Sequence, residues 1–225
     1  MRLSIVIPAL NEAERIVATL MPLQALRARG HEVIVVDGGS MDATVIQATP
    51  LCDRVLHSSP GRARQMNAGA RAATGEVLWF VHADTIAPEN SDVYILGALQ
   101  HDASWGRFDV HLLGSHPLLR IVEWLMNLRS RLTGIATGDQ GIFVSRDIFV
   151  AVGGFAEIPL MEDIALSRAL KRHAHPICLR ARLVTSSRRW ERDGIMRTIV
   201  LMWWLRFAYW RGVSPERLAA RYEHG

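Results

Sequence analysis

Apolar runs and helically spaced apolar positions alternate up to residue 85. Residues 3–8 and 32–37 are short, almost wholly apolar runs, as strands buried on both faces require. Between them Ile16, Leu20, Leu23 and Leu26 recur at helical spacing, which predicts a helix over 11–29. A strand over 53–57, a helix over 62–73 and a strand over 76–81 follow. Strands alternating with helices predict an α/β fold, a mostly parallel sheet covered by helices.

After His82 the rhythm changes. The pattern predicts strands over 104–113, 138–145, 176–179 and 183–186, and helices over 117–133, 162–173, 193–211 and 215–222. No repeat or long linker interrupts the chain. The expected boundary falls near residue 190: a domain over 1–190, with halves at 1–110 and 111–190, then a helical segment over 191–225.

Two of these helices have unusual faces. Over 117–133 the polar residues Arg120, Glu123, Asn127 and Arg131 form one narrow stripe, and nearly everything else is apolar. Over 195–210, Arg197 and Arg206 point to opposite sides and no polar face remains. Such a helix is normally buried, in its own chain or in a homodimer. The alternative is shallow insertion into a membrane surface, aided by Trp203, Trp204, Trp210 and flanking arginines.

Composition narrows the class. At 225 residues and 49% hydrophobic, the chain can build a large core without disulfides or structural metal. Disordered, collagen-like and disulfide-scaffold proteins are excluded. Cys52 and Cys178 read as reduced core thiols. The apolar start at residues 3–10 is too short for a signal peptide, and Arg197 and Arg206 interrupt the most apolar stretch. No transmembrane helix is expected. The expected location is the cytoplasm or the inner face of the cell membrane.

The net charge of +4 hides an asymmetry. Residues 1–112 hold 9 basic and 12 acidic groups, and residues 113–225 hold 17 and 10. Only Lys171 among the 26 basic residues is a lysine. The arginine-rich second half suits a diphosphate or a membrane surface better than nucleic acid.

Polar clusters lie at strand ends, where open α/β sheets bind ligands. Pro8, Ala9, Asn11 and Glu12 close the first run, with Asn11 placed to cap the next helix. Asp37 precedes Gly38 and Gly39, and its carboxylate could accept from a ribose or base, or from its own turn. His82, Ala83 and Asp84 follow the fourth apolar run, and Asp84 offers a hard oxygen ligand for Mg²⁺ or Mn²⁺. Residues 61–69 place Arg62, Arg64 and Asn67 at a helix start, which suits phosphate. Glu162 and Asp163 open a later helix, as first-turn charges or as a general base. Ser186, Arg188, Arg189 and Trp190 combine guanidinium charge with an indole face.

Taken together, these residues resemble the inverting family 2 glycosyltransferases with the GT-A fold. The resemblance rests on residues 7–12, 36–44, 61–69, 80–85, 138–141, 153–155 and 161–163. Size and the Ser-Arg-Arg-Trp segment resemble a small bacterial subgroup, the radical-SAM/selenodomain-associated transferases. The resemblance implies sugar transfer from a nucleotide-diphosphate sugar, UDP- or GDP-linked, to an acceptor hydroxyl, with a divalent cation. It implies that Pro8, Ala9, Asn11, Glu12, Asp37, Gly39, Arg64, Asn67, Ala83 and Asp84 bind the nucleotide sugar. Asp139, Gln140, Arg188, Arg189 and Trp190 would face the diphosphate or acceptor. Asp163 would be the base, with Glu162 beside it, and Asp84 would hold the metal. His82 replaces the usual first Asp of the metal motif, and Ser186 replaces a Gln found in polymer-building relatives.

Two other classes compete. A sugar nucleotidyltransferase would carry a Gly-rich basic loop where Ala9, Leu10, Asn11 and Glu12 stand. A non-catalytic membrane or partner module would not need Asp37, Asp84 and Asp163 together. The patterns leave two contacts open for residues 117–133 and 195–211, a lipid-linked acceptor's membrane or a second copy.

Overall fold

The computed structural model describes residues 1–100 and 104–224. The first half runs β1 (Leu3–Ala9), α1 (Ile16–Leu20), α2 (Gln24–Ala28), β2 (Glu32–Asp37), α3 (Thr44–Ala48), β3 (Arg54–His57), α4 (Arg62–Ala72), β4 (Val77–Phe80), β5 (Thr85–Ile86) and α5 (Ser91–Ala98). The second half runs β6 (Trp105–Leu112), α6 (Pro117–Thr133), β7 (Phe143–Ser145), α7 (Arg146–Ala151), α8 (Glu162–Leu170), β8 (Ile177–Thr185), α9 (Arg188–Asp193), α10 (Ile195–Trp210) and α11 (Pro215–His224).

The strands form one sheet in the order β3-β2-β1-β4-β7-β6-β8-β5. The first four are mutually parallel, and β7 is antiparallel to both its neighbours. Every residue of β1 and β2 is buried, which is why both read as continuous apolar runs. One face carries a core with Leu20, Leu23 and Leu26 of the α1–α2 region, the other a core with Met66 and Ala70 of α4. Helix α4 lies close on the sheet because Gly69 has no side chain: a Cβ there would come within 2.3 Å of Val6 Cγ1. The chain steps from β1 to β2 and β3 on one side and then crosses back to β4 on the other, so a crevice opens beyond the carboxyl ends of β1 and β4.

Several expectations are corrected. The helix expected over 11–29 is two helices, because Pro22 cannot donate to the turn before it. Asn11 caps neither of them. Its backbone is left-handed (φ 53°), and α1 begins only at Ile16. The two short strands expected over 176–186 are one strand, β8. Its register against β6 shifts after Phe108, and Arg180 and Ala181 sit in that irregularity. Of the strand expected over 138–145, only Phe143–Ser145 is extended. Residues 138–140 form a 3₁₀ turn, closed by reciprocal bonds between Thr137 and Gln140. Both cysteines are free, with Cys52 buried and Cys178 half-buried.

Helix α6 is turned polar side in. Strand β7 pairs only with Trp105 and Gly106, so the rest of that β6 edge lacks a strand partner. Side chains of α6 supply the missing bonds. Asn127 bonds the Val110 N–H (2.9 Å) and carbonyl (3.0 Å), Glu123 accepts from Leu112 N–H, and Arg120 donates to Leu112 O. Arg131 pairs with Asp109 at 2.6 Å. The polar stripe is thus consumed, and Ile121, Trp124 and Leu132 face outward. Beside α6, helix α10 also exposes one face. Met196, Val200, Trp203, Trp204, Phe207 and Trp210 are exposed, and at 100° per residue they fall within an arc of about 120°. Its opposite face packs Leu205 and Ala208 against Ile164 of α8 and Leu218 of α11. The expectation of a wholly buried helix does not hold within this chain. Among the described residues no helix is long and apolar enough to cross a membrane.

Candidate active site

The crevice is a cleft of about 470 Å³. Pro8, Ala9 and Glu12 after β1, Arg62 and Gln65 of α4, and His82, Ala83 and Asp84 after β4 line one side. Asp139, Ser186, Arg188, Arg189, Trp190 and Tyr222 line the other. Local folding fixes each of these edges. Thr19 of α1 donates to Ala83 O at 2.8 Å, and the Gln65 amide donates to both Ala9 O and Val36 O at 2.8 Å.

The loops after β1 and β2 lock together. Asn11 N–H donates to Ser40 Oγ, Met41 N–H to Asn11 Oδ1 (2.9 Å each), and Glu12 N–H to Thr44 Oγ1 at 2.8 Å. Asp37 is 2% exposed, and its carboxylate accepts from Gly39 N–H and Ser40 N–H. Burial raises its pKa, but hydrogen bonds from Ser40, Gly39 and His57 outweigh that and hold it below the ordinary value. Asp37 therefore shapes the loop, with Gly39 at a positive φ of 96°, and does not line the cleft.

Charges of both signs meet in the cleft. Burial, and then the charge of Asp84, raise the Glu12 pKa, while Arg188 and Arg15 pull it back. Arg188 is half-exposed and reaches to 3.7 Å from Glu12. Arg189 is committed elsewhere: it lies 3.4 Å from the Tyr222 ring centre and donates to Tyr222 O at 2.6 Å, which pins α11 over the cleft. His82 Nδ1 is 3.3 Å from Asp139 Oδ1. Burial opposes the imidazolium, yet that bond and nearby carboxylates raise the His82 pKa above its usual value. The Gly138 backbone passes so close that a Cβ would lie 2.4 Å from His82 Nε2.

Glu162 and Asp163 open α8 after a left-handed Met161 (φ 72°). Burial, and then the Asp163 charge, raise Glu162 to about 7, while Arg62 opposes the shift. The Asp163 carboxylate is held by Gly138 N–H (3.0 Å) and its neighbour Ile164 N–H (2.7 Å). Its charge also acts on Arg129 and Arg206.

Besides Asp37, the sequence-selected residues Asn11, Gly39, Arg64, Asn67, Gln140, Glu162 and Asp163 do not line the cleft itself. Asn67 bonds the Phe155 carbonyl and N–H across 88 residues, holding the Gly-Gly-Phe loop that leads into α8. Gln140 is fully buried in its own turn and donates to Ser130 Oγ. Arg64 pairs with Glu157 at the surface. In their place the structure brings in Tyr222, which sequence reasoning missed, and Arg62 and Gln65, which it placed only within a helix start. The signal for Arg62 and Gln65 was their position in the first turn of a helix facing the strand ends. Nothing local marks Tyr222.

The family model described as glycosyl transferase family 2 matches residues 4–149. The chain belongs to that family. Among curated relatives, it is 25% identical over 175 residues to poly-beta-1,6-N-acetyl-D-glucosamine synthase of Staphylococcus aureus (strain COL). That match covers 70% of this chain and 42% of the relative, so the chain spans less than half of it. Among solved structures, S. aureus TarS 1–349 superposes with a TM-score of 0.69 at 19% identity, covering 83% of this chain and 61% of that one. Glucosyl-3-phosphoglycerate synthase from Mycobacterium tuberculosis, in complex with Mn²⁺, UDP and glucosyl-3-phosphoglycerate, gives 0.62 at 23% identity, covering 82% and 70%. The family 2 glycosyltransferase described here thus has the GT-A fold.

Proposed function

We propose that this family 2 glycosyltransferase moves a sugar, with inversion, from a UDP- or GDP-linked donor to an acceptor hydroxyl. The observation that carries the reading is one cleft in which Glu12, Asp84, Arg62 and Arg188 converge beside the Glu162–Asp163 helix start. The donor half would be residues 1–110 and the acceptor half 111–190.

Asp84 with Glu12 is the pair we assign to a divalent cation. No three or more His, Cys, Asp or Glu side chains gather as a cage among the described residues. A hard carboxylate pair fits Mg²⁺ or Mn²⁺, which takes its remaining oxygens from phosphate and water. The mycobacterial neighbour, crystallised with Mn²⁺ and UDP, supports the same donor chemistry. When bound, the cation supplies charge neutralisation for the leaving diphosphate. Arg62 on one side of the cleft and Arg188 on the other add guanidinium charge. Asp163, oriented by two backbone N–H groups, takes the acceptor proton. The acceptor oxygen bonds to the anomeric carbon from the face opposite the departing diphosphate. His82 is assigned to holding Asp139 rather than to the metal.

The expected result with a panel of nucleotide sugars is nucleoside diphosphate release that stops on chelation by EDTA. Release of pyrophosphate from a sugar phosphate and a nucleoside triphosphate would instead make the protein a nucleotidyltransferase.

The outward faces of α6 and α10 are assigned to a membrane surface. Trp124, Trp203, Trp204 and Phe207 are exposed together, and Arg197, Arg211, Arg217 and Arg221 are exposed nearby. The protein should pellet with anionic vesicles, and Trp124→Ser with Phe207→Ser should weaken this by about tenfold per side chain. A dimer in solution with no vesicle binding would give the face to a second copy.

A further inference from the structure

A second cavity, an apolar slot of about 170 Å³, opens between α6 and α10. Val122, Leu125 and Met126 wall it on one side, and Ile199, Met202 and Trp203 on the other. It meets the cleft at Asp139, Trp190 and Met202, which line both. Its mouth lies on the outward face, since Trp203 lines the slot and is still 63% exposed. The slot therefore adjoins the candidate active site and shares a wall with it.

The slot also holds two arginines, Arg129 and Arg206. Nε and Nη2 of Arg129 are buried and have no hydrogen-bond partner among the described residues. Burial, and then repulsion from Arg206, pull the Arg129 pKa down to about 9, while Asp163 and Asp139 act the other way. Burial lowers Arg206 too, against the same two carboxylates. Two half-buried arginines in one slot, one of them with buried donors left unsatisfied, are costly unless an anion joins them. A phosphate accepts from such forked donors in pairs.

We propose that the slot binds the acceptor as a lipid whose headgroup carries a phosphate and the reacting hydroxyl, with the phosphate between Arg129 and Arg206, the hydroxyl toward Asp163 and the chain running out past Trp203. The proposal rests on the transferase reading only in naming this lipid the acceptor; the binding site stands on the slot itself. It gives the inverted α6 a purpose. Turning its polar stripe to β6 leaves an apolar wall for the chain and places Arg129 in the slot's lining.

The test uses the full chain and octyl phosphate as a soluble probe, with inorganic phosphate and octanol as partial probes. Binding is read by calorimetry, with tryptophan fluorescence to report on Trp203 and Trp190. Octyl phosphate should bind at least about tenfold more tightly than either partial probe. Arg129→Gln, checked as folded by circular dichroism, should lose about tenfold for octyl phosphate and nothing for octanol. Met126→Trp, which fills the slot, should abolish the advantage over inorganic phosphate. Equal affinity for octyl phosphate and inorganic phosphate would reduce the site to a surface anion contact and overturn the proposal. So would undiminished binding by both folded variants. UDP and GDP affinity, measured on the same samples, should not change. Donor binding without octyl phosphate binding would sink the slot alone, and the converse would sink the transferase reading alone.

Discussion

Replacing Asp163 by Asn should lower turnover by about 10²–10⁴-fold and leave donor affinity unchanged. The amide keeps the size and can still accept from Gly138 N–H, so the start of α8 should stay in place. What it loses is the capacity to take a proton. Glu162 is the control, because its neighbouring carboxyl sits in a different environment. Burial and the Asp163 charge hold it near 7, so around neutral pH it keeps much of its proton. Glu162→Gln mimics that protonated form and should cost far less activity than Asp163→Asn. Its effect belongs to stability. A carboxyl whose folded pKa lies above its unfolded value contributes stability fully below about 4.5 and loses it as pH rises through about 7. Glu162→Gln should therefore raise the melting temperature at pH 8 and leave it unchanged at pH 4. Steady-state rates and calorimetric donor binding across pH 5–8 decide the assignment. If Glu162→Gln is dead and Asp163→Asn turns over normally, the roles are reversed.

The contrast between these two neighbours illustrates what the sequence could and could not reveal. The pair was visible as two acids at a helix start, but their environments come from elements far away in the chain. Gly138 supplies a hydrogen bond to one, and Arg62 supplies charge to the other. Strands β1, β2 and β4 were legible because a strand buried on both faces leaves an unbroken apolar run. Strand β8 read as two pieces because the Arg180–Arg182 stretch looks like a break and is a register shift. For α6, periodicity identified the polar stripe correctly and said nothing about where it points. That was decided by the brevity of β7, which left the Val110 and Leu112 backbone needing partners.

The same limit separates motif membership from position in the cleft. Asn67 and Gln140 lie in segments that carry the family resemblance, yet their amides are spent on backbone and side chains that shape the site. The sequence does not distinguish Arg189 from Arg188, whereas the fold places Tyr222, 33 residues later, against Arg189. Residues 1–112 supply Glu12 and Asp84, and the arginine-rich second half supplies Arg188, Arg129 and Arg206. The basic second half thus supplies arginines both to the cleft and to the adjoining slot.

Asp84→Ala should weaken donor binding in the presence of Mn²⁺ by about a hundredfold, since a cation at the diphosphate contributes several kcal/mol. The argument is electrostatic. Burial and the Asp84 charge together raise the Glu12 pKa, so the two acids are held close without a full complement of cations from the protein. Arg188, at 3.7 Å and half-exposed, compensates only in part. A bound divalent cation relieves that repulsion and favours the ionised form of Glu12. In EDTA the order should invert. Wild type then presents two unshielded carboxylates to a diphosphate, and Asp84→Ala presents one, so the variant should bind UDP or GDP at least as well as wild type. Calorimetry with and without Mn²⁺ forms a two-by-two cycle whose coupling term isolates the cation from the side chain's packing. The same hundredfold loss in EDTA would show that Asp84 acts on the nucleotide through the fold and not through a metal.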